Sequence, residues 1–215
     1  MTRRTKACRL VPLVGAVTAA LLNAGVAFAQ SNDAPNSAAP GQVPKPTERP
    51  TAELRTDDSL DSLFDRLKKA RSQEDAKAIN HAIQVRWLES GSDTIDLLMR
   101  RAMKAMETKD YPLSLDLLDA VIDLRPDYPE GWNKRATVHY LMEDYGRSIG
   151  DIEQTLKLEP RHFGALAGLG SIFRRLGREE EALKVFEQTL AIHPRLESIQ
   201  KAYSDLIEEL EGRGI

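Results

Sequence analysis

From about Asp57 onward the apolar residues recur every three or four positions, the spacing that places them on one face of a helix. Leu60, Leu63, Phe64 and Leu67 form one such stripe, and Ala76, Ile79, Ile83 and Trp87 form the next. Arg71-Ser72 separates them, with Ser72 placed to cap the second helix. Near the other end Ile199, Ala202, Tyr203, Leu206, Ile207 and Leu210 keep helical spacing, while Lys201, Asp205, Glu208, Glu209 and Glu211 fall on the opposite side. Between these flanks three short motifs repeat: Leu124-Arg125-Pro126, Leu158-Glu159-Pro160 and Ile192-His193-Pro194. The prolines stand at 126, 160 and 194, a constant period of 34 residues. A proline lacks the amide donor and its ring clashes with the preceding turn, so each motif closes a helix. Paired helices repeating at such a period predict a solenoid.

The first 56 residues follow a different pattern. Arg3, Arg4, Lys6 and Arg9 precede an apolar run from Leu10 to about Leu22, which gives way to small residues ending Ala27-Phe28-Ala29. Those three parts predict a secretory signal peptide over residues 1–29, cut between Ala29 and Gln30, and hence a periplasmic or secreted protein. The run is shorter than the roughly 20 residues needed to span a membrane, so no stable insertion is expected after cleavage. Thr5-Lys6 after Arg3-Arg4 fits the general secretory route better than a twin-arginine one. Residues 30–56 are rich in proline and poor in large apolar side chains, and they read as a disordered linker.

Cleavage changes the charge. The whole chain carries 30 basic and 33 acidic residues; losing the four basic residues of the signal leaves 26 against 33, a formal charge of −7. An acidic surface argues against a nucleic-acid partner. The single cysteine, Cys8, precedes the apolar run and leaves with the signal, so it is neither a lipid anchor nor a source of disulfides.

The 34-residue unit resembles the tetratricopeptide repeat family, with repeats at 95–128, 129–162 and 163–196. The third is the closest match, through Leu166, Leu169, Gly170, Phe173, Gly177, Ala182, Phe186 and Pro194. The second carries Trp132, Ala136 and Tyr145, with Ser148 where alanine is usual; the first keeps Ala102, Asp110-Tyr111 and Pro126 but has Leu98 and Ser114 at signature positions. The stretches EGWNKRAT and LEPRHFGAL are similar to those of exported bacterial repeat proteins of this type. The resemblance implies an all-α, right-handed solenoid of helical hairpins. A degenerate repeat or cap, a helix pair over 57–90, would precede it, and a cap helix over 197–211 would shield its last apolar face. Gly170, Ala102 and Ala136 are expected where the two helices of a hairpin cross closely.

The glycine-rich stretch KLEPRHFGALAGLGSIF, residues 157–173, is punctuation between helices. A phosphate loop would need a lysine after the glycines, and a dinucleotide fingerprint would need a preceding strand. His162 has no ligand-spaced partner and is expected in a turn or on the surface; His139 is expected in or near the core. No catalytic residue, metal site or cofactor is predicted.

Function is therefore expected on the concave face, lined in this family by the second, fifth, ninth and twelfth residues of each repeat's first helix. That register selects Met99, Met103 and Met106 with Asp96 in the first repeat. Three of the four methionines outside the signal lie on this stripe, and methionine suits an adaptable groove; the alternative is that the N-terminal pair packs over it. The second repeat offers Asn133, Thr137 and Tyr140, with Lys134 at the edge, and the third Ser171 and Arg174 beside Gly164 and Ala167. The clamp with which some family members hold a C-terminal carboxylate is not reproduced, because Met99, Met103 and Gly168 occupy its positions. The chain thus reads as an exported, non-catalytic adaptor holding a protein or peptide segment. A cell-envelope enzyme and a self-associating structural module are the two alternatives.

Overall fold

The computed structural model describes residues 59–213, and the predicted signal peptide and Pro-rich linker lie outside the described residues. Within 59–213 all regular structure is helical: α1 Leu60–Lys69, α2 Gln73–Leu88, α3 Asp93–Glu107, α4 Tyr111–Leu124, α5 Pro129–Leu141, α6 Tyr145–Leu158, α7 Phe163–Arg175, α8 Glu179–Ile192 and α9 Glu197–Arg213. The pairs α3/α4, α5/α6 and α7/α8 are three hairpins in the 34-residue register, and each second helix packs on the first helix of the next hairpin.

Local chemistry explains the boundaries. Ser59 and Ser72 cap α1 and α2, their Oγ atoms accepting from the amides of Ser62 and Asp75 at 3.2 and 3.1 Å. Asp110 and Asp144 cap α4 and α6 in the same way. The turn inside each hairpin needs one residue in the left-handed region, at Lys109 (φ +62°), Glu143 (+60°) and Gly177 (+70°), each 34 residues from the next. Only the third repeat supplies glycine there. α6 ends at Leu158, just before Pro160, as the proline requires.

The helices of a hairpin meet at small residues. Fully buried Ser114 and Ser148 donate to the carbonyls of Ala102 and Ala136 at 2.9 and 2.8 Å, so serine where the family usually has alanine fastens the crossing. At Gly170 it is the Phe186 ring, not a helix backbone, that takes the vacant space: a Cβ would lie 2.4 Å from the ring. At the C-terminal end α9 continues the solenoid, setting buried Ile199 and Leu206 into one cluster with Ala182 and Phe186.

The N-terminal pair, expected as a degenerate repeat or cap, is a helix pair, α1 and α2, that lies outside the stack of hairpins. Stacked as a repeat, it would lie broadside on α3; instead α2 packs on α5 and α1 on α8. It forms a splint along the edge where successive repeats join. Tyr128 Oη donates to the Leu88 carbonyl and Arg125 to that of Ser90 at the first junction. At the second, Arg161 pairs with Asp61 at 2.6 Å and lies over the Phe64 ring. At the third, Arg195 donates to the carbonyls of Ala70 and Arg71. Leu63, Phe64, Ile83 and Trp87 share one apolar cluster with Phe163, and Ile192 and Leu196 pack against it.

The first repeat tolerates this arrangement because α3 is built as an end. The positions where the later repeats bury Val138 and Ile172 completely are occupied in α3 by exposed Lys104. Likewise Leu97 is 46% exposed where its counterpart Ala165 is buried.

Candidate functional site

Three helices enclose the groove. α5, α7 and α9 surround a trough of about 360 Å³ whose floor is made of small residues, Gly164, Ala167, Gly168 and Ser171 on α7 and Ser198 and Ala202 on α9. A Cβ at Gly168 would make only ordinary contact, 3.7 Å from Ile152, so this glycine is there for width and not for a tight crossing. Asn133, Thr137 and Tyr140 of α5 form the facing wall.

Two of the groove's hydroxyls are turned inward to their own helices. Thr137 Oγ1 donates to the Asn133 carbonyl at 2.9 Å and Ser171 Oγ to that of Ala167 at 2.8 Å. Their polar demand is met before any ligand arrives, and the lining presents mostly carbon. Polarity is concentrated at the ends. Arg175 Nε donates to Tyr140 Oη at 2.9 Å, and Arg174 pairs with Glu209 of α9 at 2.6 Å, alongside an adjoining cleft of about 410 Å³.

The opposite end is closed by a buried polar cluster. His162 caps α7, its Nδ1 accepting from the Ala165 amide at 3.0 Å. That leaves Nε2–H to donate to Glu130 Oε2 at 2.9 Å. Lys134 Nζ lies 2.7 Å from Glu130 Oε1, and Asn133 Nδ2 donates to Oε2 at 3.0 Å. Burial alone would raise the Glu130 pKa; the hydrogen bonds from His162 and Lys134 and the Lys134 charge outweigh it and hold the carboxyl below its ordinary range. The Trp87 indole of the splint stacks on the His162 ring at 3.9 Å and 10°. Among the described residues, no group of three or more His, Cys, Asp or Glu side chains is arranged to hold a metal ion.

Of the residues selected from sequence, Asn133, Thr137, Tyr140 and Ser171 line the groove together, and Arg174 stands at its end. Lys134 is held at the wall by Glu130. The methionine stripe does not join them. Met99 is only 2% exposed, locked among Ile95, Ala102, Leu118 and Val138 with Leu88 of α2 packed against the same cluster, so it offers no surface. Met103 and Met106 are half-buried on α3, outside the trough. His162 stands at the turn before α7, one of the two places expected, but it is not on the surface: it is 2% exposed, because one ring serves as helix cap, carboxylate partner and stacking surface. Buried His139 is where it was expected. The contribution of α9 was missed. Its signal was the register itself, since Glu197 begins the next 34-residue unit and Ser198 falls on a groove position.

The model of a tetratricopeptide repeat family matches residues 133–196. A TPR repeat-containing protein of Rhizobium etli is 45% identical over 153 residues, which span 71% of this chain and 75% of that one. The small glutamine-rich tetratricopeptide repeat-containing protein 2 of Mycosarcoma maydis is 27% identical over 107 residues, 50% of this chain and 30% of its own. Among solved structures, the first TPR domain of Spaghetti (RPAP3) bound to an HSP90 peptide superposes with a TM-score of 0.53 at 19% identity, covering 56% of this chain and 95% of that one. The Sgt2 TPR domain from Aspergillus fumigatus gives 0.53 at 17% identity, covering 57% and 83%. At these identities the likeness is one of fold.

Proposed function

Since the chain belongs to the tetratricopeptide repeat family, we propose that it is an exported adaptor that holds a protein or peptide segment in the groove between α5, α7 and α9 and performs no chemistry on it. The observation that carries this reading is the trough of about 360 Å³ with a floor of glycine, alanine and serine. Such a floor admits bulky side chains or a turn of helix, and the Thr137 and Ser171 hydroxyls, already bonded within their helices, make displacing water beside them inexpensive. The Spaghetti (RPAP3) domain of similar fold is bound to an HSP90 peptide, which supports peptide recognition as the class of activity. The missing clamp residues argue for a ligand other than a chaperone tail. Export rests on the three-part pattern of residues 1–29.

Non-catalysis is supported by the state of the buried polar cluster. The His162–Glu130 pair resembles an acid/base couple, yet both ring nitrogens and both carboxylate oxygens are already engaged within the protein. A reacting group would find no free atom there.

The test is affinity capture from cell envelopes with the chain beginning at Gln30, beside Thr137→Glu and Ser171→Glu. Both replacements put a charge into the apolar trough at partly exposed helix positions. The same partner should be recovered by the native chain and lost at least tenfold by both variants, with unchanged helicity. Equal recovery by all three would move the binding surface away from the groove.

A further inference from the structure

The splint touches every repeat junction, and one of its contacts reaches the groove. Trp87 is stacked on His162, whose Nδ1 fixes the first turn of α7 and whose Nε2 is bound to Glu130 at the start of α5. Glu130 in turn holds Asn133 and Lys134, and Asn133 lines the groove. On the other side of the ring, the residues just after the cap, Gly164 and Ala165, line it too. One continuous set of contacts therefore runs from α2 through buried His162 to both walls of the trough. A Cβ on Gly164 would lie 3.3 Å from the His162 ring, so the ring is close against the groove's edge.

We propose that the α1/α2 splint regulates the groove: its docking along the repeat junctions sets the relation of α5 to α7, and undocking loosens the groove walls. This rests on the groove being the binding site, and it gives the helix pair a role that neither a repeat nor an end cap would have. Two features make the splint suited to this. It is anchored at the third junction as well as beside His162, by Arg195 to the carbonyls of Ala70 and Arg71 and by Gln73 to the Arg195 carbonyl at 2.9 Å. It also packs on α5 and α8 rather than broadside on α3, so its docking bears on the part of the solenoid that holds the groove. Because coupling between two sites is reciprocal, a ligand that tightens the walls stabilises the docked splint, and a partner that captures the splint weakens ligand binding.

The experiment is amide hydrogen exchange on the chain from Gln30, with Arg195→Met and Trp87→Ala beside the native protein. Arg195→Met removes the two guanidinium bonds of the third-junction anchor, leaves the Gln73 bond to the backbone carbonyl, and alters no residue of α5 or α7. The expected result is faster exchange in α1 and α2 together with at least threefold faster exchange in residues 130–137 and 163–168. Trp87→Ala should produce the same pattern through the middle anchor. Unchanged protection of α5 and α7 in both variants would overturn the coupling. No ligand is involved, so this result is independent of whether the groove captures a partner.

Discussion

At the residue scale, the left-handed turn positions report most directly on how the repeat is built. Glu143 is held at φ +60° where the third repeat has Gly177. The Cβ of a non-glycine residue in this region costs roughly 1–2 kcal/mol. Glu143→Gly should therefore raise the unfolding free energy by about 1 kcal/mol in a denaturant titration. Gly170 predicts the reverse. Alanine there would gain up to about 1 kcal/mol of helix propensity, but its Cβ would meet a fixed, buried Phe186 ring at 2.4 Å. Overpacking of this kind costs about 1–3 kcal/mol, so Gly170→Ala should destabilise despite being the better helix former. Both glycines were legible in sequence as family positions. The role of His162 was not, because its partners Trp87 and Glu130 stand 75 and 32 residues away and no local spacing brings them together.

At the element scale, helices whose apolar faces pack on sequence neighbours could be read from periodicity, and the hairpins and α9 fall where that predicts. The splint was readable only as two helices. Its inner stripe, Leu63, Phe64, Ile83 and Trp87, is the same whether it packs on α3 or along the junctions, and the choice is made by Phe163, Arg161 and Arg195 far along the chain. Two buried histidines, one at the third junction and one inside the second hairpin, carry a pH response. Burial lowers the pKa of His193, edge-on to Phe163, and burial does the same to His139 against an opposing pull from Asp151. The unfolded chain therefore takes up protons near 6.5 that the folded one resists, and this part of the stability is complete above 6.5 and lost as the pH falls below it. Glu130, held below the ordinary 4.5, adds stability that is present above that value and lost beneath it. The urea midpoint should fall in two stages on acidification, the first beginning near pH 6.5. A midpoint that stays flat down to about pH 5 would contradict the assignment of neutral, buried histidines.

At the scale of the whole molecule, the end faces, the splinted edge and the concave trough divide the work. Lys104 ends the solenoid on one side and α9 on the other, the splint spans the junctions, and the small-residue floor of α7 is left as the surface open to a partner. About half of that surface was legible. The repeat register selected Asn133, Thr137, Tyr140 and Ser171 because side-chain direction follows position in a repeat; it also selected Met99, because register says nothing about which neighbours cover a position. The most direct measurement is site-specific photo-crosslinking in cells, with the photoreactive residue at Ser171 in the trough or at exposed Glu153 on α6. The account predicts a discrete crosslinked partner from position 171 and none from position 153. A partner crosslinked from 153 and not from 171 would contradict it and place recognition on the second helices of the repeats.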